Sequence, residues 1–166
     1  MREWFLGEVA DGVALRIGAS PEGLREIHFY RAAEGERADP ADNKPENPIL
    51  GAAVSQLKAY FAGRLREFHL PLDMAGTEFQ IRVWRELEKI PYGETRSYSA
   101  IAQAIGRPAA VRAVGAANGA NPLPIVVPCH RVIGANGKLV GYGGGLPLKK
   151  RLLALERGET LFPLAG

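Results

Sequence analysis

Residues 97–118 read S-Y-S-A-I-A-Q-A-I-G-R-P-A-A-V-R-A-V-G-A-A-N. Ser97 is a side-chain N-cap for a short helix from Tyr98, and Gly106 closes it, since a helix end favours a residue that accepts a left-handed backbone. Pro108 opens the next helix, A-A-V-R-A-V-G-A-A-N, where its missing N–H costs nothing. Two short helices joined by a tight glycine-containing turn outline a helix-turn-helix. On the second of them Val111, Val114 and Gly115 share one face at about 100° per residue. The opposite face shows Arg112, Ala113 and Ala116, one long cation on an almost bare surface. An alanine-rich helix former leaves such a face by default. The alternative is a face kept small so that a bulky partner, DNA above all, approaches closely.

Immediately downstream lies P-I-V-V-P-C-H-R-V-I, residues 124–133, with the only cysteine of the chain, Cys129. Ile125 to Val127 read as a short buried strand that Pro128 ends, because proline has no N–H for a ladder. A lone thiol there is either a small apolar filler or a nucleophile beside a base. Neighbours in a strand point to opposite faces, so His130 reaches Cys129 only through a water or a bend after Pro128. Further on, Ala135-Asn136-Gly137-Lys138 is a hairpin signal. V-G-Y-G-G-G (140–145) is a tight loop with exposed N–H groups or a flexible connector, without the spacing of a nucleotide motif. The last helix opens at Pro147 and stops at Gly158, with Leu148, Leu152 and Leu155 as its apolar stripe. Around the helix Glu156 falls angularly between Leu152 and Leu153, an expensive place for a carboxylate unless it is paired. Pairing with His130 would align Cys129, His130 and Glu156 as nucleophile, base and orienter.

Upstream, Thr77-x-x-Gln80 is a capping box for a helix carrying Phe79, Val83, Leu87 and Ile90, stopped at Pro91-Tyr92-Gly93. Residues 2–30 read as strands with turns at Asp11-Gly12 and Pro21-Glu22-Gly23. Residues 31–48 form a long polar loop, Asn47 and Pro48 start a helix that runs to about Phe61 and ends at Gly63, and E-F-H-L-P-L is extended. This division places an N-terminal supporting domain at 1–75 and a C-terminal domain at 76–166.

Charge divides at the same point. Residues 1–75 hold 9 Lys and Arg against 12 Asp and Glu, whereas residues 76–166 hold 12 against 6. A basic half suits a polyanionic partner. One cysteine excludes an internal disulfide and a multi-cysteine metal site, and the three histidines form no ligand pattern. No apolar run approaches the roughly 20 residues of a membrane span, and charges interrupt the N-terminal M-R-E-W-F-L-G-E, unlike a signal peptide. The expectation is a protein of a reducing compartment, the cytoplasm, associated with the nucleoid if bacterial.

P-C-H-R-V-I, preceded by G-A-N-P-L-P-I-V-V, resembles the active-site signature of the O6-alkylguanine-DNA alkyltransferases, and the likeness runs from G-T-E-F-Q (76–80) to L-L-A-L-E (152–156). The resemblance implies an α+β fold. It joins an N-terminal α/β domain with an antiparallel, ribonuclease H-like sheet to a mostly helical, winged-helix-like C-terminal domain. It also implies irreversible repair, in which Cys129 takes the alkyl group from O6 of a guanine flipped out of double-stranded DNA, with O4-alkylthymine as a second substrate. The protein acts once, as a monomer, without cofactor or metal. His130 accepts the thiol proton through water, Glu156 holds the imidazole, and Asn121 matches the hinge between recognition helix and active-site strand. Tyr98, Arg112, Ala113, Ala116 and Arg131 match the DNA-facing set, with Arg112 entering the stack vacated by the base in the minor groove. Tyr98, Val132, Tyr142 and Gly143 match the base pocket, Val132 through its carbonyl. Gly143 stands where some members have serine, and the zinc-binding cysteines of some relatives are absent.

Two other readings compete. A non-catalytic alkyltransferase-like lesion binder lacks the cysteine that this chain keeps. A thiol hydrolase using Cys129, His130 and Glu156 needs an oxyanion hole and leaves the bare Arg112 helix unexplained.

Overall fold

A computed structural model describes residues 2–30 and 46–159. The chain divides into two units, Met1–Ala75 and Gly76–Gly166. The first is built on three antiparallel strands in the order β1 (Glu3–Ala10), β2 (Val13–Ser20), β3 (Gly23–Tyr30), turned at the two expected places. Val13, Leu15, Ile17 and Ala19 alternate along β2 and are all buried, the period a half-buried strand requires. Helix α1 (Pro48–Phe61) packs on the sheet and buries Leu50, Ala53, Leu57 and Tyr60, spaced to lie on one face. Asn47 caps it, its Oδ1 accepting from the N–H of Ile49 at 2.9 Å and of Leu50 at 3.1 Å. The extended segment lies beside β3, with the Leu24 N–H donating to Pro71 O at 2.8 Å and the Asp73 N–H to Leu24 O at 2.9 Å. Asp73 also accepts from Ser20 Oγ at 2.6 Å and from Arg25 at 3.1 Å, which hold its carboxyl below the ordinary range. Of the loop expected at 31–48, residues 31–45 lie outside the described residues.

The second unit begins with the capping box, in which Thr77 Oγ1 accepts from the Gln80 N–H at 3.1 Å and Gln80 Oε1 from the Thr77 N–H at 3.0 Å. Helix α2 (Glu78–Leu87) buries Val83, Trp84 and Leu87, and Ile90 is buried just beyond it. Trp84 Nε1 donates to Ala117 O at 2.8 Å, tying α2 to the helix-turn-helix. Helix α3 (Tyr98–Ala104) is capped by Ser97 and closed by Gly106 at φ +76°, where a side chain would strain the backbone. Helix α4 (Val111–Gly119) starts three residues later than expected. Pro108 instead takes the second position of a β-turn closed by the Ala110 N–H on Arg107 O at 2.9 Å, a place its fixed φ suits. Two-residue strands β4 (Arg96–Ser97) and β5 (Val132–Ile133) pair in parallel and hold the start of α3 beside the segment that follows Cys129.

Two further expectations change. Ile125 to Val127 are buried but form no strand: three prolines in 122–128 remove ladder donors, and the chain winds into turns. Gly134 to Lys138 do make a tight turn, with the Gly134 N–H donating to Lys138 O at 2.8 Å, yet no strand follows it among the described residues. Helix α5 (Leu146–Glu156) closes the unit. Its buried face is Lys149, Leu152, Leu153 and Glu156 rather than Leu148, Leu152 and Leu155. These four follow the i, i+3, i+4, i+7 rule, but two are charged, so hydropathy alone picks the wrong stripe. Among the described residues no helix is long and apolar enough to cross a membrane.

Candidate active site

Asn121 shapes the segment that presents the thiol. Its Oδ1 accepts from the Leu123 N–H at 2.9 Å and its Nδ2 donates to Val127 O at 2.8 Å, so one amide spans the whole turn. Within that span Ile125 sits at φ +75°. A β-branched residue pays about 1–3 kcal/mol for a left-handed backbone, a cost the clasp and the burial of Ile125 offset. Pro128 follows at φ −80°, ψ 64°, with the Cys129 N–H on Val127 O at 2.8 Å, an inverse γ-turn. Cys129–Arg131 then form one turn of 3₁₀ helix. The bend after Pro128 therefore removes the strand alternation that would have set Cys129 and His130 on opposite faces. The two side chains make no direct hydrogen bond.

His130 is fully buried, and its Nε2 lies 2.7 Å from Glu156 Oε2. A carboxylate accepts, so this contact places the proton on Nε2 and leaves the Nδ1 lone pair available. Nδ1 is buried and has no hydrogen-bond partner among the described residues. Glu156 is held from three further directions. Arg131 donates through Nε to Oε1 at 2.7 Å and through Nη2 to Oε2 at 3.0 Å, and the Gly93 N–H reaches Oε1 at 3.3 Å. Gly93 comes in at φ +82°, where a Cβ would stand 3.1 Å from Glu156 O. The remaining Arg131 amine, Nη1, donates to Ile90 O at 2.7 Å.

These contacts set the charges. Burial alone would push the Glu156 carboxyl up; the hydrogen bonds from His130 and Arg131 reverse this and leave it at about 2. Burial lowers the His130 pKa, and Glu156 offsets that only in part, so the imidazole is neutral at neutral pH. Burial raises the Cys129 thiol, opposed by a hydrogen bond from Asn121 and by the charge of Lys149. The phenols of Tyr98 and Tyr142 are raised too, first by burial and then by charge on Cys129. Both rings therefore stand within electrostatic reach of the sulfur. Val132 follows at once, its carbonyl accepting from Lys149 Nζ at 2.8 Å, while Gly143 is exposed in the glycine loop.

Arg112, Ala113 and Ala116 are exposed on α4, opposite buried Val114, Ala117 and Asn118. Arg131 departs from expectation. It is 7% exposed and its guanidinium is committed to Glu156 and Ile90 O, so it faces the interior and not a DNA surface. A buried carboxylate needs a buried cation, and Arg131 is the one in place. Two residues escaped notice in the sequence. Asn118 is buried behind the thiol, its Nδ2 3.4 Å from Cys129 O, and Lys149 is buried with Nζ on two carbonyls. The signal for Lys149 was its place one stripe with Glu156, seven residues on. Among the described residues no three His, Cys, Asp or Glu side chains gather to hold a metal ion.

Comparison with known proteins agrees with this arrangement. The DNA-binding domain of 6-O-methylguanine DNA methyltransferase matches residues 78–158, and the ribonuclease-like domain of the same family matches residues 14–74. A methylated-DNA–protein-cysteine methyltransferase of Mycolicibacterium paratuberculosis is 68% identical over 69% of this chain and 70% of its own length. Its counterpart in Methanosarcina acetivorans is 50% identical over 84% of this chain and 89% of its own. The crystal structure of Mycobacterium tuberculosis O6-methylguanine methyltransferase superposes with a TM-score of 0.80 at 45% identity, covering 99% of this chain and 98% of that one. The Mycobacterium tuberculosis OGT in complex with DNA gives 0.78 at 46% identity, covering 95% and 92%. With both halves matched, the chain belongs to the 6-O-methylguanine DNA methyltransferase family.

Proposed function

We propose that this protein repairs O6-alkylguanine in double-stranded DNA by a single, irreversible transfer of the alkyl group to Cys129. One observation carries the assignment of the acceptor. The relatives are named as methylating a protein cysteine, and this chain has one cysteine, set beside a neutral buried imidazole. The same fact disfavours a purely lesion-binding protein.

The step is an SN2 displacement at the alkyl carbon. The Cys129 thiol proton passes through a water to His130 Nδ1, while Glu156, pinned by Arg131, steadies the imidazolium that forms. The thiolate then bonds to the alkyl carbon, the carbon–O6 bond breaks with its electron pair on oxygen, and a proton returns to the guanine. A free thiol near pKa ~8.5 is mostly protonated at neutral pH, so the relay supplies what burial withholds. The C-terminal unit, 76–166, carries this chemistry, and residues 1–75 support it.

The bare face of α4, with Ala113 and Ala116, docks in the minor groove, and Arg112 fills the stack left by the flipped base at a cost of a few kcal/mol of unstacking. Tyr98 bonds the base, while Val132, Tyr142 and Gly143 wall the pocket. The protein works as a cytoplasmic monomer. Mixing with O6-methylguanine duplex should add the mass of one methyl to the peptide bearing Cys129, once per molecule; an unmodified Cys129 would overturn the proposal. Arg112→Ala should slow repair of duplex more than reaction with the free base, and equal losses would remove its role in extrusion. Affinity for DNA should fall steeply with salt.

A further inference from the structure

We propose that Lys149 is a positioning residue for the reaction: its buried ammonium is the counter-charge of the Cys129 thiolate. The inference rests on Cys129 being the acceptor. Lys149 is 0% exposed, and Nζ donates to Val132 O at 2.8 Å and Val140 O at 3.0 Å. An ammonium has three donors, so two are placed and one is left over. No carboxylate lies within ion-pair distance of it among the described residues. Glu156, the nearest candidate on α5, is already saturated by Arg131 and His130. A buried cation held by carbonyls alone is costly, and such a cost persists where it serves something. The one anion the reaction creates here is the thiolate.

Charges around the sulfur support the assignment. The 3₁₀ turn brings His130 and Arg131, α3 brings Tyr98, the loop before α5 brings Tyr142, and α5 brings Glu156 and Lys149. Arg131 balances Glu156, His130 is neutral and both tyrosines are protonated, which leaves Lys149 as the unbalanced charge. Burial raises the Cys129 thiol and lowers the Lys149 ammonium, and the attraction between the two charges opposes both shifts, as it must for two interacting sites. The two carbonyl bonds fix the ammonium in place and clip β5 to the start of the glycine loop. After transfer the sulfur is a neutral thioether, and the pairing is gone.

The test compares wild type with Lys149→Met and Lys149→Arg. Ultraviolet thiolate absorbance reads the single cysteine without DNA, and single-turnover methyl uptake is followed across the same pH range. Lys149→Met should move the thiol titration up by about 1 unit or more, slow uptake about tenfold at neutral pH, and recover above the new midpoint. Lys149→Arg should restore most of the titration shift. A uniform loss of rate at every pH with an unmoved thiol titration would leave the lysine only a structural clip and overturn the proposal. Should Lys149→Met not fold, the Lys149 titration followed by NMR of its Cε in wild type and Cys129→Ser decides: the midpoint should be lower in Cys129→Ser, and equal midpoints overturn the proposal. If wild-type Cys129 stays unmethylated while its titration shifts in Lys149→Met, the acceptor assignment has failed and the electrostatic pairing stands.

Discussion

The two units bury different chemistry. Among the described residues, the core of Met1–Ala75 is Val9, Val13, Leu15, Ile17, Ala19, Leu24 and Ile27 against Leu50, Ala53, Leu57 and Tyr60, and its ion pairs, such as Arg25 with Asp73, lie at the surface. Among the described residues, the five that are buried and polar or charged, Asn118, His130, Arg131, Lys149 and Glu156, belong to Gly76–Gly166. A packed apolar core is the cheaper way to hold a fold, because replacing a buried ion pair with well-packed hydrophobic side chains is often neutral or stabilising. The second unit carries the costlier core where its reactive sulfur is. Those polar residues are linked to one another and to the segment that carries the thiol: His130 and Arg131 to Glu156, Asn118 to Cys129 O and Lys149 to Val132 O.

Substitutions can break this contrast, and the largest effect should come from the polar core. Glu156→Gln strips Arg131 of its carboxylate and should cost about 3–5 kcal/mol of stability, while the methyl-transfer rate of the folded fraction falls sharply. Denaturant unfolding and single-turnover kinetics read the two effects, and a full rate would separate Glu156 from the relay. Leu15→Ala in the first unit should cost about 2–5 kcal/mol through the cavity it leaves, with the rate per folded molecule unchanged. A matching loss of rate would mean that the apolar unit shapes the reaction.

A pH experiment sharpens the comparison. Glu156 sits at about 2 in the folded chain against 4.5 ordinarily, so its contribution is complete above 4.5 and is lost as pH falls towards 2. It amounts to a few kcal/mol by that shift. The acid limb of stability should be flatter in Glu156→Gln, and parallel limbs would show that the carboxyl is not depressed. The smallest effect should be Arg25→Ala, which opens a half-exposed pair and should cost under about 1 kcal/mol; a loss as large as that of Glu156→Gln would erase the distinction between the two units.

Local signals carried most of the fold. The caps at Asn47, Thr77 and Ser97 act within three residues of themselves, so they are readable in one dimension, and the helices start where these caps stand. Helix α4 is the exception, because a proline suits both the first position of a helix and the second of a β-turn. The strand expected at Ile125 to Val127 failed because three nearby prolines remove ladder donors and the Asn121 side chain bonds both ends of the turn that forms instead. Within the site, Cys129, His130 and Glu156 were legible because spacing and residue type pointed to them. Arg131 was misplaced on the DNA surface and Lys149 was overlooked, since a charged side chain looks exposed until its buried partners are known. Glu156 was recognised as needing one partner, and the structure adds Arg131 and the Gly93 N–H to His130.

The burial that raises the Cys129 thiol has one more consequence. A protein consumed in a single event is a stock, and every molecule spent on the wrong electrophile is a molecule missing when damage comes. Thiolates, not thiols, are what peroxides and stray alkylating agents attack. By keeping the sulfur buried and protonated inside the fold, the site gives this stock a shelf life.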